Sequence, residues 1–279
     1  MRYARPTISY SHNPVERDGA FTLIELLIVV SIMALLLSIL LPGLGKAREQ
    51  AKAAVCASNV RQLLIANNAY ASEYGGRYCA GAVDMATENL QRWHGMRSAT
   101  DEDFDPARGP LSPFLGESTP IRQCPSFPRF IASTPAAFES GSGGYGYNQA
   151  YLGRVMKKFA DGNYAVVTDD VGELSERIRR PAETLMFSDA AFAAKMEGVI
   201  EYSFAEPRFH PEWLAWQART DPSIHFRHTR QANIGWCDGH VDRRTRKLTW
   251  CSGLYPGDPD RQELGWFGAN DDNGLFDLD

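Results

Sequence analysis

One stretch of the chain is apolar at nearly every position, and the rest mixes apolar and polar residues at shorter periods. Residues 21–41 carry a single charge, Glu25. As a helix this run spans about 31 Å at ~1.5 Å per residue, which matches a hydrocarbon core of ~30 Å. A polar, proline-containing segment with Arg2, Arg5 and Arg17 precedes it. Short basic flanks stay cytoplasmic, so the expected topology puts residues 1–20 inside and residues 42–279 outside. A secretory signal has an apolar region of only ~7–15 residues and a small-residue cleavage site. The run is too long for that, and Pro42-Gly43-Leu44-Gly45 does not supply the site. A plain anchor fits the length but leaves Glu25 unexplained. A carboxylate inside a span costs roughly 2.5–3.5 kcal/mol and marks a functional position by default.

Beyond Leu41 the pattern changes. Pro42, Gly43 and Gly45 predict a kink or local melting, because proline removes a backbone donor and glycine weakens a helix by ~1 kcal/mol against alanine. Residues 46–74 are rich in alanine and free of breakers. Val60, Leu63, Leu64, Tyr70 and Tyr74 recur at spacings near three and four, an amphipathic helical face. Gly75-Gly76 supplies the stop. This face is expected to pack as core against a sheet formed by the remaining residues.

Residues 75–279 read as an irregular head. Gly, Pro and aromatic residues crowd 75–180. Gly141–Asn148 is a tight glycine-dense passage with two tyrosines, without the Lys-Ser/Thr ending of a phosphate loop. Tyr164–Thr168 and Thr184–Ser188 are β-compatible runs. Residues 232–244 predict a hairpin, with Asp238-Gly239 as a two-residue type I′ turn. That turn would set Cys237 opposite His240 and Trp236 opposite Val241. The expected fold class is α+β, with a long N-terminal helix packed on an antiparallel β-sheet head with long loops.

Charge and cysteines narrow the chemistry. The net charge is −5, and residues 255–279 hold seven acidic residues against one Arg. The remainder is near neutral, without the clustered Lys and Arg of a nucleic-acid binder. The five cysteines contain no CxxC pair, so a zinc knuckle or thioredoxin-type motif is unsupported. Cys79–Cys124 and Cys237–Cys251 are conceivable bridges, and Cys56 reads as a small hydrophobe on the helix.

Gly19-Ala20-Phe21-Thr22-Leu23-Ile24-Glu25 resembles the processing site of type IV prepilins and type II secretion pseudopilins. The resemblance implies cleavage between Ala20 and Phe21 by a membrane prepilin peptidase, then N-methylation of Phe21. The family's usual residue before the cut is Gly; here it is Ala20, with Gly19 one place earlier. Cleavage would create an α-amine with a pKa of ~7.7–8.0, one helical turn from Glu25. Among parallel helices, Glu25 of one subunit could meet the Phe21 amine of its neighbour and set axial register, the best-attested use of a buried polar group.

A second resemblance lies in the head. His228, nine residues, then Asp238-Gly239 matches the "H-X9-DG" element of prepilin-like proteins; Arg61-Gln62-Leu63, Cys124-Pro125 and Gly146-Tyr147-Asn148 also look like that family. The similarities touch both ends and the middle of the chain. His228, Asp238 and Gly239 read first as structural, through turn geometry and a hydrogen bond across the sheet. The sharper alternative is a metal held by His225, His228, Asp238, His240 and Asp242, since imidazole with carboxylate suits zinc-like ions. Catalysis has less support: there is no G-x-S-x-G elbow and no HExxH.

Residues 268–274 could offer oxygen ligands to calcium, and the resemblance adds weight because major pseudopilins bind calcium near their C-terminus. The competing reading is a solvated acidic terminus. The sequence thus predicts a cytoplasmic leader (1–20), a transmembrane and assembly helix (21–41), a helical continuation (42–74) and an extracytoplasmic head (75–279). The expected protein is a single-pass inner-membrane, pseudopilin-like subunit in a type IV pilus or type II secretion-like assembly. It is non-enzymatic, without a required cofactor, and partnered by prepilin peptidase, other pilin-like subunits and lipid. The rivals are a tethered surface- or glycan-binding module using Trp93, Trp213, Trp216 and Trp266, and a metal-dependent hydrolase.

Overall fold

The computed structural model describes residues 22–279 except 86, 117–122, 133–138, 195–197 and 256. The expected cleavage residues Gly19, Ala20 and Phe21 lie outside the described residues. The fold class is α+β: one long N-terminal helix and a β-rich head. The chain divides into two compact units, Met1–Lys46 and Ala47–Asp279.

In the first unit, helix α1 (Leu23–Glu73) begins, and its residues from Leu23 to Leu44 leave their apolar side chains exposed. This is the one segment among the described residues long and apolar enough to cross a membrane. The expected melting at Pro42 does not occur: helical structure continues through Pro42, Gly43 and Gly45. Proline removes only its own donor, and in apolar surroundings the other backbone groups have no partners except within the helix.

In the second unit, the remainder of α1 buries Ala53, Cys56, Asn59, Val60, Leu63, Leu64, Asn67 and Ala71, a stripe at spacings of three and four. Full burial of a Val or Leu side chain is worth ~1.5–3 kcal/mol. Tyr70 is half-buried and stacks on exposed Tyr74, their ring centroids 4.1 Å apart. The helix ends where the sequence places its glycines. Gly75 takes φ +64°, and the Gly76 amide donates to the Ala71 carbonyl at 2.7 Å, the long bond of a Schellman cap.

The stripe lies against a four-stranded antiparallel sheet. Its strand order is Val241–Thr245, Gln231–Trp236, Leu185–Asp189, Tyr145–Tyr147. The Leu185–Asp189 strand is buried at every position, because both its edges and both its faces are covered. The register pairs Tyr145 with Asp189, Tyr147 with Phe187 and Phe187 with Gly235, so these side chains share one face. That face meets α1: Asn59 Nδ2 donates to the Tyr145 hydroxyl at 2.9 Å. A Cβ on Gly235 would lie 2.7 Å from Val60 Cγ1 and 3.0 Å from Leu64 Cδ1. Glycine therefore sets how closely helix and strand approach.

Two local expectations shift. The Tyr164–Thr168 strand is found, paired with Val155–Lys158; the next lies one residue later than expected, at Leu185–Asp189. The hairpin forms with a different turn. Gly235 pairs with Val241, and the Trp236 amide donates to the His240 carbonyl, so three residues, Cys237–Gly239, connect the strands. Only Gly239 of the three takes a positive φ, +92°. This is the three-residue loop with a left-handed glycine, which moves the register by one and stacks Trp236 on His240.

The Gly235 contact yields a direct test. Gly235→Ala should destabilise the head by ~1–3 kcal/mol through overpacking, read as a lower urea midpoint at unchanged slope. A midpoint equal to wild type would contradict the close approach.

Candidate functional site

At the membrane end, Glu25 has a partner in its own helix. The Thr22 amide and hydroxyl donate to Glu25 Oε2 at 2.9 and 2.8 Å, and the Glu25 amide donates to Thr22 Oγ1 at 3.2 Å. Together these form a capping box, Thr22 as N-cap and Glu25 three residues on. The carboxylate also sits at the positive end of the helix dipole. A Thr-x-x-Glu pattern opening an apolar run is the signal that identifies this role.

In the head, a fully buried polar cluster is centred on Asp189, the last residue of the fully buried strand. Its Oδ1 accepts from Arg227 Nη2 at 2.8 Å. Its Oδ2 accepts from the Asn233 amide at 2.7 Å and from Asn233 Nδ2 at 2.9 Å. His228 Nε2 lies 3.4 Å from Oδ2 and 3.6 Å from Cys124 Sγ. Burial pushes the Asp189 carboxyl up, but Arg227, His228 and the Asn233 amide outweigh it and hold it at about 2. Arg227 also donates to the Ala190 carbonyl at 3.1 Å and stacks 4.8 Å from the Phe127 ring centre. Burial and the Arg227 cation lower the His225 pKa, which keeps that imidazole neutral.

Cys124 is bonded to Cys56 of α1, with Cα atoms 5.2 Å apart. This corrects both conceivable pairings and the reading of Cys56 as a lone hydrophobe: Cys79 and Cys237 are buried free thiols and Cys251 is exposed. The bridge closes a separation of 68 residues, which sequence spacing alone does not reveal.

The five residues considered as a metal set do not converge. The nine positions between His228 and Asp238 hold the Gln231–Trp236 strand, and its six residues extend roughly 20 Å at ~3.3 Å each. His228 is buried at one end, and Asp238 is exposed at the other. There Asp238 Oδ1 contacts the His240 amide at 3.0 Å and His240 Nδ1 at 2.6 Å. Asp242 accepts from Trp236 Nε1 at 3.1 Å and pairs with Arg244 at 2.6 Å. The residues the fold does gather beside His228 are Cys56, Cys124 and Asp189, whose ligand atoms all lie within 4.8 Å of one another. Asp189 escapes sequence reading except as an acid closing an apolar strand.

The tail is solvated at residues 269–272 and anchored beyond them. Phe276, Leu278 and Asn273 are buried, and Asn273 donates to the Tyr151 hydroxyl and the Phe209 carbonyl. Asp271 accepts from Arg219 Nη1 at 3.0 Å and lies 3.6 Å from Arg208, so guanidinium groups hold this carboxylate. Asp272 Oδ1 accepts the Gly274 amide at 2.9 Å. Of the four tryptophans weighed as contacts, Trp93 and Trp266 are fully buried, while Trp213 and Trp216 are 55% and 84% exposed.

Comparison with known proteins adds one positive finding. Residues 17–41 match the family model described as "Prokaryotic N-terminal methylation motif". No curated protein and no solved structure matches the chain. The motif and the apolar helix beneath it support a prepilin-like, membrane-anchored, single-pass protein.

The Asp189 cluster predicts a pH signature. An unfolded Asp titrates near ~3.9; folded Asp189 titrates at about 2. Its contribution to stability is therefore present above pH ~4 and lost as pH falls toward 2. Arg227→Leu strands the carboxylate and should cost ~3–5 kcal/mol at pH 7, with the deficit narrowing below pH ~4 as Asp189 takes up a proton. Urea titrations of both proteins at several pH values measure this; equal stability at pH 7 would refute it.

Proposed function

We propose that this protein is a pseudopilin-like subunit, cut between Ala20 and Phe21 by a prepilin peptidase and N-methylated at Phe21. It serves a structural role in a type IV pilus or type II secretion-like assembly. The observation that carries the reading is the methylation-motif match over residues 17–41, which brackets the cut. The helix sits in the inner membrane with residues 1–20 cytoplasmic and the head outside. The Cys56–Cys124 bond supports that orientation, since disulfides persist in oxidising compartments. The residues divide into a leader (1–20), an assembly helix (21–41), a continuation (42–74) and a head (75–279).

After cleavage, Glu25 pairs with the Phe21 amine of a neighbouring subunit and fixes axial register. The H-X9-DG element fits a structural device, His228 anchoring one end of the central hairpin strand and Asp238-Gly239 turning the other. The head is non-catalytic on this reading, because its gathered polar groups at Asp189 are closed to solvent. A calcium ion at residues 268–274 would have to displace the guanidinium partners of Asp271. The exposure of Trp213 and Trp216 favours one second reading, a tethered glycan-binding head.

Intact-mass and N-terminal analysis of the membrane-extracted protein should give a chain starting at N-methyl-Phe21; a retained Met1 sinks the processing step. Glu25→Leu should be cleaved and inserted yet crosslink poorly to sister subunits in vivo. Crosslinking at wild-type levels would remove Glu25 from assembly.

A further inference from the structure

We propose that Cys56, Cys124, Asp189 and His228 are a metal site that alternates with the disulfide: the oxidised chain holds a covalent bond, and the reduced chain holds one zinc-class divalent cation. The ligand atoms are two sulfurs, a carboxylate oxygen and an imidazole nitrogen, all within 4.8 Å of one another. Two thiolates with imidazole and carboxylate form a set suited to tetrahedral zinc, with bonds of ~2.3 Å to sulfur and ~2.0–2.2 Å to nitrogen and oxygen. The sulfurs need only part by side-chain rotation, because their Cα atoms are 5.2 Å apart.

Three further observations favour a built site. The four residues come from separate elements, α1, the Cys124 loop, the Leu185–Asp189 strand and the segment before Gln231–Trp236, and each is at most 1% exposed. His228 Nε2 faces Cys124 and Asp189, while its Nδ1 has no hydrogen-bond partner. The cluster is thus the polar environment this imidazole is buried for. Asp189 is fixed from behind by Arg227 and Asn233, the outer-shell support that orients a ligating carboxylate.

Charge closes in both states, as burial requires. With the disulfide, Asp189 and Arg227 cancel. With the metal, two thiolates match the two positive charges, and Asp189 and Arg227 still cancel. The interconversion balances. A dithiol reductant is oxidised to its disulfide as the Cys56–Cys124 bond takes two electrons and two protons. The cation then displaces those two protons without changing its own oxidation state. The remaining cysteines are poor competitors: Cys79, Cys237 and Cys251 are not among the residues gathered with His228 and Asp189.

The test uses the full chain in detergent, in a Cys251→Ser background, kept oxidised or reduced with a phosphine, equilibrated with zinc ions and desalted. Elemental analysis should find about one zinc per reduced chain and none per oxidised chain. Cobalt in place of zinc should give a thiolate-to-metal charge-transfer band and a tetrahedral ligand-field spectrum. In reduced His228→Ala, metal affinity should fall at least ~10-fold and the cobalt spectrum should change. A reduced chain that keeps its circular dichroism but takes up no zinc overturns the proposal. So does equal zinc uptake by the oxidised chain, or by Cys124→Ala. Should His228→Ala not fold, the comparison of oxidised and reduced wild type still decides.

Discussion

The head depends on one contact: the stripe of α1 from Ala53 to Ala71 laid on the face bearing Tyr145, Tyr147, Phe187 and Gly235. The sheet is small, and its Leu185–Asp189 strand has no solvent-facing side. Without the helix, the apolar groups of that face and the Tyr145 hydroxyl would lose their cover. Glycine at 235 allows the approach, Asn59 satisfies the hydroxyl, and the Cys56–Cys124 bond ties the stripe to a distant loop. A bridge across so long a loop restricts the unfolded chain strongly, by ~4 kcal/mol in chain-entropy models.

The buried ionic groups follow from the same closure. A carboxylate with no access to water must have its lone pairs filled, and Asp189 has Arg227, both Asn233 donors and His228 around it. A second pair obeys the same rule: Glu139 and Arg92 sit 2.9 Å apart in the core, with Ser203 donating to Glu139 at 2.6 Å. Such pairs are weak evidence for net stability, but breaking one is costly. They hold the irregular loops to the sheet where regular hydrogen bonding is sparse.

Much of this was legible in the sequence, and the reasons differ by element. The apolar run, the stripe of Val60, Leu63 and Leu64 and the Gly75-Gly76 stop are local periodic signals, and with the β-compatible runs near 164–168, 184–188 and 232–244 they give the α+β class. Thr22 and Glu25 carry the capping-box spacing of three, a signal passed over in favour of an intersubunit role for Glu25. The turn at Asp238-Gly239 was visible but not its length, since an Asp-Gly pair suits both a two-residue type I′ turn, with both residues left-handed, and a three-residue loop closed by the glycine alone, and the one-residue difference exchanges the cross-strand partners. The Cys56–Cys124 pairing, the Asp189 cluster and the anchoring of Phe276 and Leu278 rest on contacts between residues far apart in sequence. No local pattern encodes them. The His228 to Asp238 spacing measures the length of a strand, not the proximity of its ends, so it carries a structural element but does not gather a metal set.

The box between Thr22 and Glu25 has a consequence for how such a subunit waits in a bilayer. A lone carboxylate in lipid would be a standing liability, drawing water or any stray cation. Here the acid is already occupied by donors from its own first turn, so the solitary subunit is a resting form with its charge kept at home. Under the proposed processing, a neighbour's amine does not fill an empty seat; it competes with Thr22 for an occupied one. An N-cap is worth only ~1 kcal/mol, so little holds Glu25 back when a neighbour's amine arrives.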